Sequence, residues 1–176
     1  NWIGIDVKIG EERLDLAKCK VEAFTRILNM REGYLFRKMS VVMPSGQRVH
    51  VESTRFISMD HREIGAIKYS VLLHDTSATV ELTPYIDGDV KNEDANYDER
   101  FWENESSHHD GSRAVVVAQT RKTAFVVATA MENVFLINGK RAGKIPVMIT
   151  TAKTATSTLT TSYSDGDTIE VHKYVA

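Results

Sequence analysis

The fold is decided by residues 28–94, which read LNMREGYLFRKMSVVMPSGQRVHVESTRFISMDHREIGAIKYSVLLHDTSATVELTPYIDGDVKNED. Apolar and polar residues alternate along much of this stretch, and short turn sequences separate the alternating segments. Alternation with a period of two is typical of a β-strand that buries one face. The stretch therefore predicts a series of β-strands joined by short turns.

The sequence also predicts how some of these strands are arranged. Pro44-Ser45-Gly46 separates two strand-like segments and has the composition of a hairpin turn, with Val49 and Val51 on one face. The apolar phase then shifts to Phe56, which predicts a β-bulge near Thr54 or Arg55. Pro84 lacks a ladder donor, and its place in the next alternating run predicts a strand edge or a bulge.

The second half of the chain continues the pattern. Residues 114–120 and 124–131 are nearly continuous apolar runs, which predicts strands buried on both faces. A helix is the alternative for 124–133, although its β-branched and aromatic residues disfavour it. Ser164-Asp165-Gly166-Asp167 predicts a turn between the last two strands, which we expect to pair.

Composition supports one all-β domain over residues 1–176. Val, Ile and Thr supply 18, 12 and 16 of the 176 residues, and these branched side chains pack well on a pleated surface. A chain of this length is sufficient for one well-buried core and short for two. The abrupt start at Asn1 is the kind expected of a piece of a longer protein.

Charge and cysteine content narrow the range of partners. The 22 basic and 24 acidic residues give a net charge of −2, so we expect neither nucleic acid nor an anionic membrane as a partner. No apolar run approaches the roughly 20 residues of a membrane helix.

The lone Cys19 cannot form an internal disulfide, which suits a protein of the reducing cytoplasm. No nucleotide-binding or metal-binding motif stands out, so we expect no cofactor.

Residues 91–112 form the one long stretch without clear strand periodicity, and we expect an irregular loop there. A long loop inside a compact domain is usually functional or disordered. Its seven acidic residues could in principle supply a catalytic carboxylate pair, but their spacing fixes no working separation. They are Glu93, Asp94, Asp98, Glu99, Glu103, Glu105 and Asp110.

Two motifs in this stretch are candidates for binding. His108-His109-Asp110 offers metal-ligating groups, but adjacent residues rarely ligate one ion, so a solvated segment is favoured. Arg100, Phe101 and Trp102 are the better candidates, because an exposed aromatic ring can stack on a sugar and an arginine can bond its hydroxyls. The alternative is that both rings pack on the domain's own core. The remaining histidines, among them His50 and His74, are expected to be structural.

Five motifs, in their order and spacing, resemble the N-terminal β-sandwich domain of glycoside hydrolase family 65, which includes maltose, kojibiose and trehalose phosphorylases. The motifs are Pro44-Ser45-Gly46, Val51-Glu52-Ser53, Arg55-Phe56-Ile57-Ser58, Ile67-Lys68-Tyr69 and Asp87-Gly88-Asp89-Val90-Lys91-Asn92. The resemblance implies an antiparallel two-sheet super-sandwich of the galactose mutarotase-like type.

The resemblance also implies a function for the whole protein. Members of the family place an (α/α)6 barrel after this domain, and the barrel carries the catalytic acid and the phosphate site. No residue of this chain matches either, so no catalytic residue is expected in it. The implied protein phosphorolyses an α-linked glucobiose such as maltose, forms a homodimer and uses this domain to support the barrel.

Two other functions remain open at this point. A stand-alone carbohydrate-binding sandwich would use Phe101 and Trp102 as its sugar platform. A purely structural module would serve assembly alone. The resemblance also leaves open that the whole protein is a hydrolase.

Overall fold

The computed structural model describes residues 1–90 and 100–176, without the side chains of Asn104 and Glu105. These residues form fourteen β-strands and no helix, so none of them makes a helix able to cross a membrane. The strands are β1 (Ile5–Ile9), β2 (Glu12–Arg13), β3 (Lys20–Asn29), β4 (Tyr34–Val42), β5 (Arg48–Ile57), β6 (Gly65–His74), β7 (Ala78–Asp87), β8 (Trp102–Asp110), β9 (Arg113–Thr120), β10 (Val126–Ile137), β11 (Lys140–Arg141), β12 (Val147–Thr150), β13 (Thr154–Tyr163) and β14 (Thr168–Val175).

The strands form two antiparallel sheets, a small one and a large one. The small sheet has the order β12-β13-β7-β1-β2. The large sheet has the order β3-β4-β5-β6-β14-β10-β9-β8, with β11 beside β10. The predicted all-β fold and its two-sheet antiparallel arrangement are confirmed.

The core lies between the sheets and follows the predicted alternation. Val49 and Val51 are both fully buried on one face of β5, and Val71 on β6 lies opposite Val51. Val80, Leu82 and Ile86 supply the facing side from β7. The turn at Pro44-Ser45-Gly46 is also confirmed, since Gly46 has φ of 89° and its N–H donates to the Met43 carbonyl at 2.8 Å.

The predicted bulge near Thr54 and Arg55 is wrong. The pairing of β5 with β6 runs without a shift from Arg48 to Ile57. Phe56 and Ile57 are both exposed because the end of this strand extends past the core. The positions of these apolar residues therefore do not indicate how the strand pairs. Register shifts occur instead in β3 and β8, between Val21 and Ala23 and between Asn104 and Ser106.

The expectation for Pro84 is also wrong. Pro84 is buried on β7, which lies between β1 and β13 in the small sheet, and the register with β13 is the same on either side of it. The position is therefore neither an edge nor a bulge. Ser157 and Thr158 are absent from the β13 pairing at this point, as expected where a proline removes a donor.

Residues 114–120 and 124–131 contain strands, as predicted, and the helix alternative is excluded. Burial on both faces is wrong, however. On β9 only Ala114 and Val116 are buried, and Val126 and Val127 at the start of β10 are exposed. These strands lie at the far side of the large sheet, where the small sheet covers them only in part.

Two further expectations are corrected by the strand order. The turn at Ser164-Asp165-Gly166-Asp167 joins β13 to β14, but these strands belong to different sheets and do not pair. The expected irregular loop over 91–112 is wrong for its second half, because β8 runs through Trp102–Asp110 and pairs with β9. Residues 91–99 lie outside the described residues.

Candidate functional site

Arg100, Phe101 and Trp102, the site predicted from the sequence, lie where β8 begins. Trp102 is the first residue of the strand and pairs with Thr120 on β9. The Trp102 and Phe101 side chains are 37% and 42% exposed, so neither is an ordinary core residue. The structure therefore keeps both aromatic rings partly available for contact with another molecule.

Trp102 forms one wall of a groove of about 280 Å³ at the side of the sandwich. Residues from both sheets contribute to the groove, which is mostly apolar. It is lined by Asn1, Ile86, Asp87, Gly88, Val90, Trp102, Val116, Ala118, Val127 and Thr129. A groove with an aromatic wall and few polar groups can accept an apolar side chain or the face of a sugar ring.

A chain of polar contacts holds the segment after β7 at one side of this groove. The Gly88 N–H donates to the Lys153 carbonyl at 2.8 Å, and the Lys153 ammonium lies 2.8 Å from an Asp89 carboxylate oxygen. The Arg100 guanidinium approaches the same carboxylate at 3.6 Å. Arg100 does not line the groove, and its guanidinium instead pairs with the Asp89 carboxylate next to the groove residue Gly88.

The strand that carries Trp102 is fixed to its neighbour by Arg121. The Arg121 backbone N–H donates to the Phe101 carbonyl at 2.9 Å, and its guanidinium donates to Glu103 at 2.8 Å. Farther along β8, the Ser107 hydroxyl donates to the Thr151 carbonyl. Trp102 is therefore presented from an anchored strand.

The acidic residues of this region do not form a catalytic pair among the described residues. Glu103 is bonded to Arg121, and Asp110 lies at the opposite end of β8. Glu93, Asp94, Asp98 and Glu99, together with the Glu105 side chain, lie outside the described residues. What the described residues form in this region is the largely apolar groove beside Trp102.

Two pairs of histidines lie close together in the structure. The rings of His108 and His109 lie 6.5 Å apart, and no three metal-ligating residues cluster within the described ranges. His50 and His74 meet edge to face at 4.5 Å, and His50 Nδ1 lies 2.6 Å from the Ser40 hydroxyl. Partial burial lowers the pKa of His50, and the neighbouring ring of His74 lowers this pKa further. Sequence reasoning missed this cluster, because it depends on the register of three strands.

Sequence reasoning also missed Lys173, which is fully buried between the sheets. Its ammonium donates to the carbonyls of Tyr85 at 2.6 Å and Gly4 at 3.1 Å. Burial lowers its pKa to about 7. The alternation of β14 places it in phase with buried Val171 and Val175, and this signal could have identified it.

Comparison with known proteins gives the context of these features. Maltose phosphorylase of Bacillus subtilis (strain 168) is 36% identical over 138 residues, which are 76% of this chain and 18% of that protein. Kojibiose phosphorylase of Thermoanaerobacter brockii is 37% identical over 92 residues, which are 52% of this chain and 12% of that protein.

Solved structures include the same fold. A kojibiose phosphorylase-type protein from the human microbiome matches the whole chain with a TM-score of 0.83 and 18% identity, and the match covers 22% of that protein. The chain thus spans about a fifth or less of the length of these proteins. The model of the glycosyl hydrolase family 65 N-terminal domain matches residues 1–176, and the chain belongs to this family.

Proposed function

We propose that this chain is the non-catalytic N-terminal domain of a disaccharide phosphorylase that acts on maltose. In the intact protein a following (α/α)6 domain would cleave the α-linked disaccharide with inorganic phosphate, giving β-glucose 1-phosphate and glucose with inversion. The domain described here would support that barrel and a homodimer. A reducing cytoplasm suits a chain with one cysteine.

The observation that carries the proposal is the 36% identity to a maltose phosphorylase over 138 residues. The match to a kojibiose phosphorylase is of similar identity but covers 92 residues. Both relatives are phosphorylases, which favours phosphate over water as the acceptor. The combination of 36% identity and 138 matched residues favours maltose among the disaccharides.

The supporting role rests on the surface of the sandwich. Met59 and Ile145 are 94% and 91% exposed, and the Phe125 and Val126 side chains also face outward. Exposed apolar side chains that adjoin one another, as Phe125, Val126 and Val127 do along the chain, form a surface that a domain or subunit contact can cover. Val127 also lines the groove beside Trp102, and this groove offers a further surface for contact with another domain or subunit.

The test is an activity assay on the intact protein. Maltose, kojibiose and trehalose are each incubated with and without phosphate, and β-glucose 1-phosphate and glucose are measured. We expect glucose 1-phosphate from maltose only when phosphate is present, and none from the 176-residue chain alone. Phosphorolysis of kojibiose in preference to maltose would contradict the substrate assignment, and phosphate-independent glucose release would indicate a hydrolase.

A sugar-binding role is the second candidate, because Phe101 and Trp102 are both partly exposed beside a groove. Titration of the 176-residue chain with maltose, followed by Trp fluorescence, tests it. A saturable change that Trp102→Ala removes would support sugar binding. No change at millimolar maltose would leave contact with the rest of the protein as the role of the groove.

A further inference from the structure

Three arginines converge on one face of the large sheet. Arg26 on β3 lies directly opposite Arg37 on β4, and Arg37 lies opposite Ser53 on β5. Arg55 is two residues beyond Ser53 on the same strand. Because side chains two residues apart share a face, the three guanidinium groups extend to one side of the sheet.

The side of the large sheet that carries these three arginines is the side that faces the core. Arg37 shares its face with buried Met39, and Arg55 shares its face with buried Val51. Arg37 and Arg55 themselves are only half-buried, so the core ends before it reaches the arginines. A cavity of about 320 Å³ remains, and its lining is Asn1, Ile3, Gly4, Ile5, Arg26, Leu35, Arg37, Ser53, Arg55, Ile67 and Tyr69.

The lining contains no carboxylate to match these charges. Within residues 1–90 and 100–176, no ion pair joins Arg26, Arg37 or Arg55 to an acidic residue. Arg26 instead lies over the ring of Phe24 at 5.5 Å. The carboxylate of Asp6 is already bonded to Arg13 at 2.6 Å. The cavity is therefore strongly positive.

Such an arrangement is unfavourable when the cavity holds only water. Partial burial lowers the pKa of Arg55, and the charges of Arg37 and Arg26 lower it further. Like charges at a half-buried site repel one another, and low local polarity strengthens the repulsion. Leu35 and Ile67 form an apolar part of the cavity wall. An anion in the cavity would remove this cost.

We propose that Arg26, Arg37 and Arg55, with the Ser53 hydroxyl, form a binding site for a phosphate group. Guanidinium groups present planar, paired donors that match the oxygens of phosphate. A phosphate group carries close to two negative charges at neutral pH, whereas one carboxylate would leave two of the three cations unbalanced. The volume of the cavity and its apolar wall leave room for the organic part of a phosphate ester.

The phosphate group could belong to inorganic phosphate or to a sugar phosphate, and two arms of one experiment separate these sources. The 176-residue chain is titrated with inorganic phosphate and with glucose 1-phosphate, and acetate at equal ionic strength serves as the control. Isothermal calorimetry gives the affinity, and the melting temperature reports folding. We expect saturable binding and a rise in melting temperature with phosphate or its ester, and no such effect with acetate.

Matched variants locate the site. Arg37→Gln and Arg55→Gln should each weaken phosphate binding by about tenfold or more, since each removes a charge-assisted hydrogen-bond donor. Without phosphate both should melt at or above the temperature of the wild type, because a like charge is removed. Arg48→Gln is the control, since Arg48 lies on the opposite face of β5, is 61% exposed and is 3.9 Å from Glu22.

Two outcomes would overturn the proposal. One is an equal response to phosphate and acetate at matched ionic strength. The other is phosphate binding that Arg37→Gln and Arg48→Gln weaken to the same extent. The measurement involves no disaccharide and no catalytic domain, so its result is independent of the proposed maltose phosphorylase function.

Discussion

The ammonium group of Lys173 lies 2.6 Å from the carbonyl oxygen of Tyr85, and this contact joins the large sheet to the small one. A second bond, to the Gly4 carbonyl at 3.1 Å, ties the start of the chain to the same group. Lys173 is fully buried, and among the described residues no carboxylate forms an ion pair with it. Burial is the cause of its low pKa, about 7.

This low pKa predicts that the folded chain is more stable at mildly alkaline pH. Lys173 has a pKa of about 7 when folded and 10.5 when free in solution, so between these values the unfolded chain binds more protons. The penalty for burying its charge is complete below about pH 7 and is relieved as the pH rises. We expect the free energy of unfolding to increase by a few kcal/mol between about pH 6.5 and 9.5. Urea unfolding at several pH values measures it.

Lys173→Met is the variant that assigns this effect. Methionine has a similar length and no charge, so the rise with pH should be strongly reduced in the variant. The experiment stops below pH 10 because burial raises the pKa of Tyr69 to about 12, and this makes the folded state less stable as the pH rises above 10. An equal rise in wild type and variant would show that other groups cause it.

Val51→Asp should prevent folding or cost several kcal/mol of stability. Val51 is 0% exposed and lies opposite Met39 and Val71, so the substitution would bury an unpaired charge in the core. Val126→Asp is the control, because Val126 is 57% exposed. Circular dichroism melting curves compare the two. Similar melting temperatures would show that the face of β5 is assigned incorrectly.

Tyr163→Phe should destabilise the chain by about 1–3 kcal/mol. The Tyr163 hydroxyl accepts a bond from the Leu73 N–H at 2.8 Å and donates one to the Leu73 carbonyl at 2.8 Å. The ladder between β6 and β14 ends at the pair of Leu72 and Thr168, so the hydroxyl satisfies the next backbone groups along β6. Phenylalanine would leave both groups unpaired in a buried place.

Tyr174→Phe is a suitable comparison for this prediction, because Tyr174 is 45% exposed. Urea unfolding gives the free energy of unfolding of each variant. If both substitutions cost the same small amount, the Tyr163 hydroxyl is not essential to the end of the ladder.

The sequence predicts the strands of this fold better than their order. Local alternation is sufficient to place Val49, Val51 and Leu82 on buried faces. The pairing of β14 with both β6 and β10 depends on contacts between distant segments, and no local pattern encodes it. For the same reason the hairpin at Gly46 is confirmed, whereas the expected pairing of β13 with β14 is wrong.

The candidate sites differ in the same way: some are recognisable from the local sequence, and others depend on contacts between distant segments. Phe101 and Trp102 are adjacent in the sequence, so composition alone identifies them. The arginine cluster requires the register of β3, β4 and β5, which pairs Arg26 with Arg37 and Arg37 with Ser53. Lys173 is in phase with buried residues, but its partners Gly4 and Tyr85 are 169 and 88 residues away. A charged residue is normally assigned to solvent when its partners are unknown.

Trp102→Ala should separate the stability of this domain from the function of the intact protein. Trp102 is 37% exposed in a groove at the side of the sandwich, so we expect its loss to lower the melting temperature of the 176-residue chain only slightly. In the intact protein the same substitution should reduce phosphorylase activity or dimer stability, because the groove is proposed to contact the remainder of the assembly.

Trp2→Ala is the contrasting variant for this prediction. Trp2 is partly buried and packs against both clusters of the core, so its loss should cost more, about 1–3 kcal/mol in the short chain itself. If Trp102→Ala destabilises the short chain as much as Trp2→Ala does, Trp102 belongs to the core and its interdomain role is refuted.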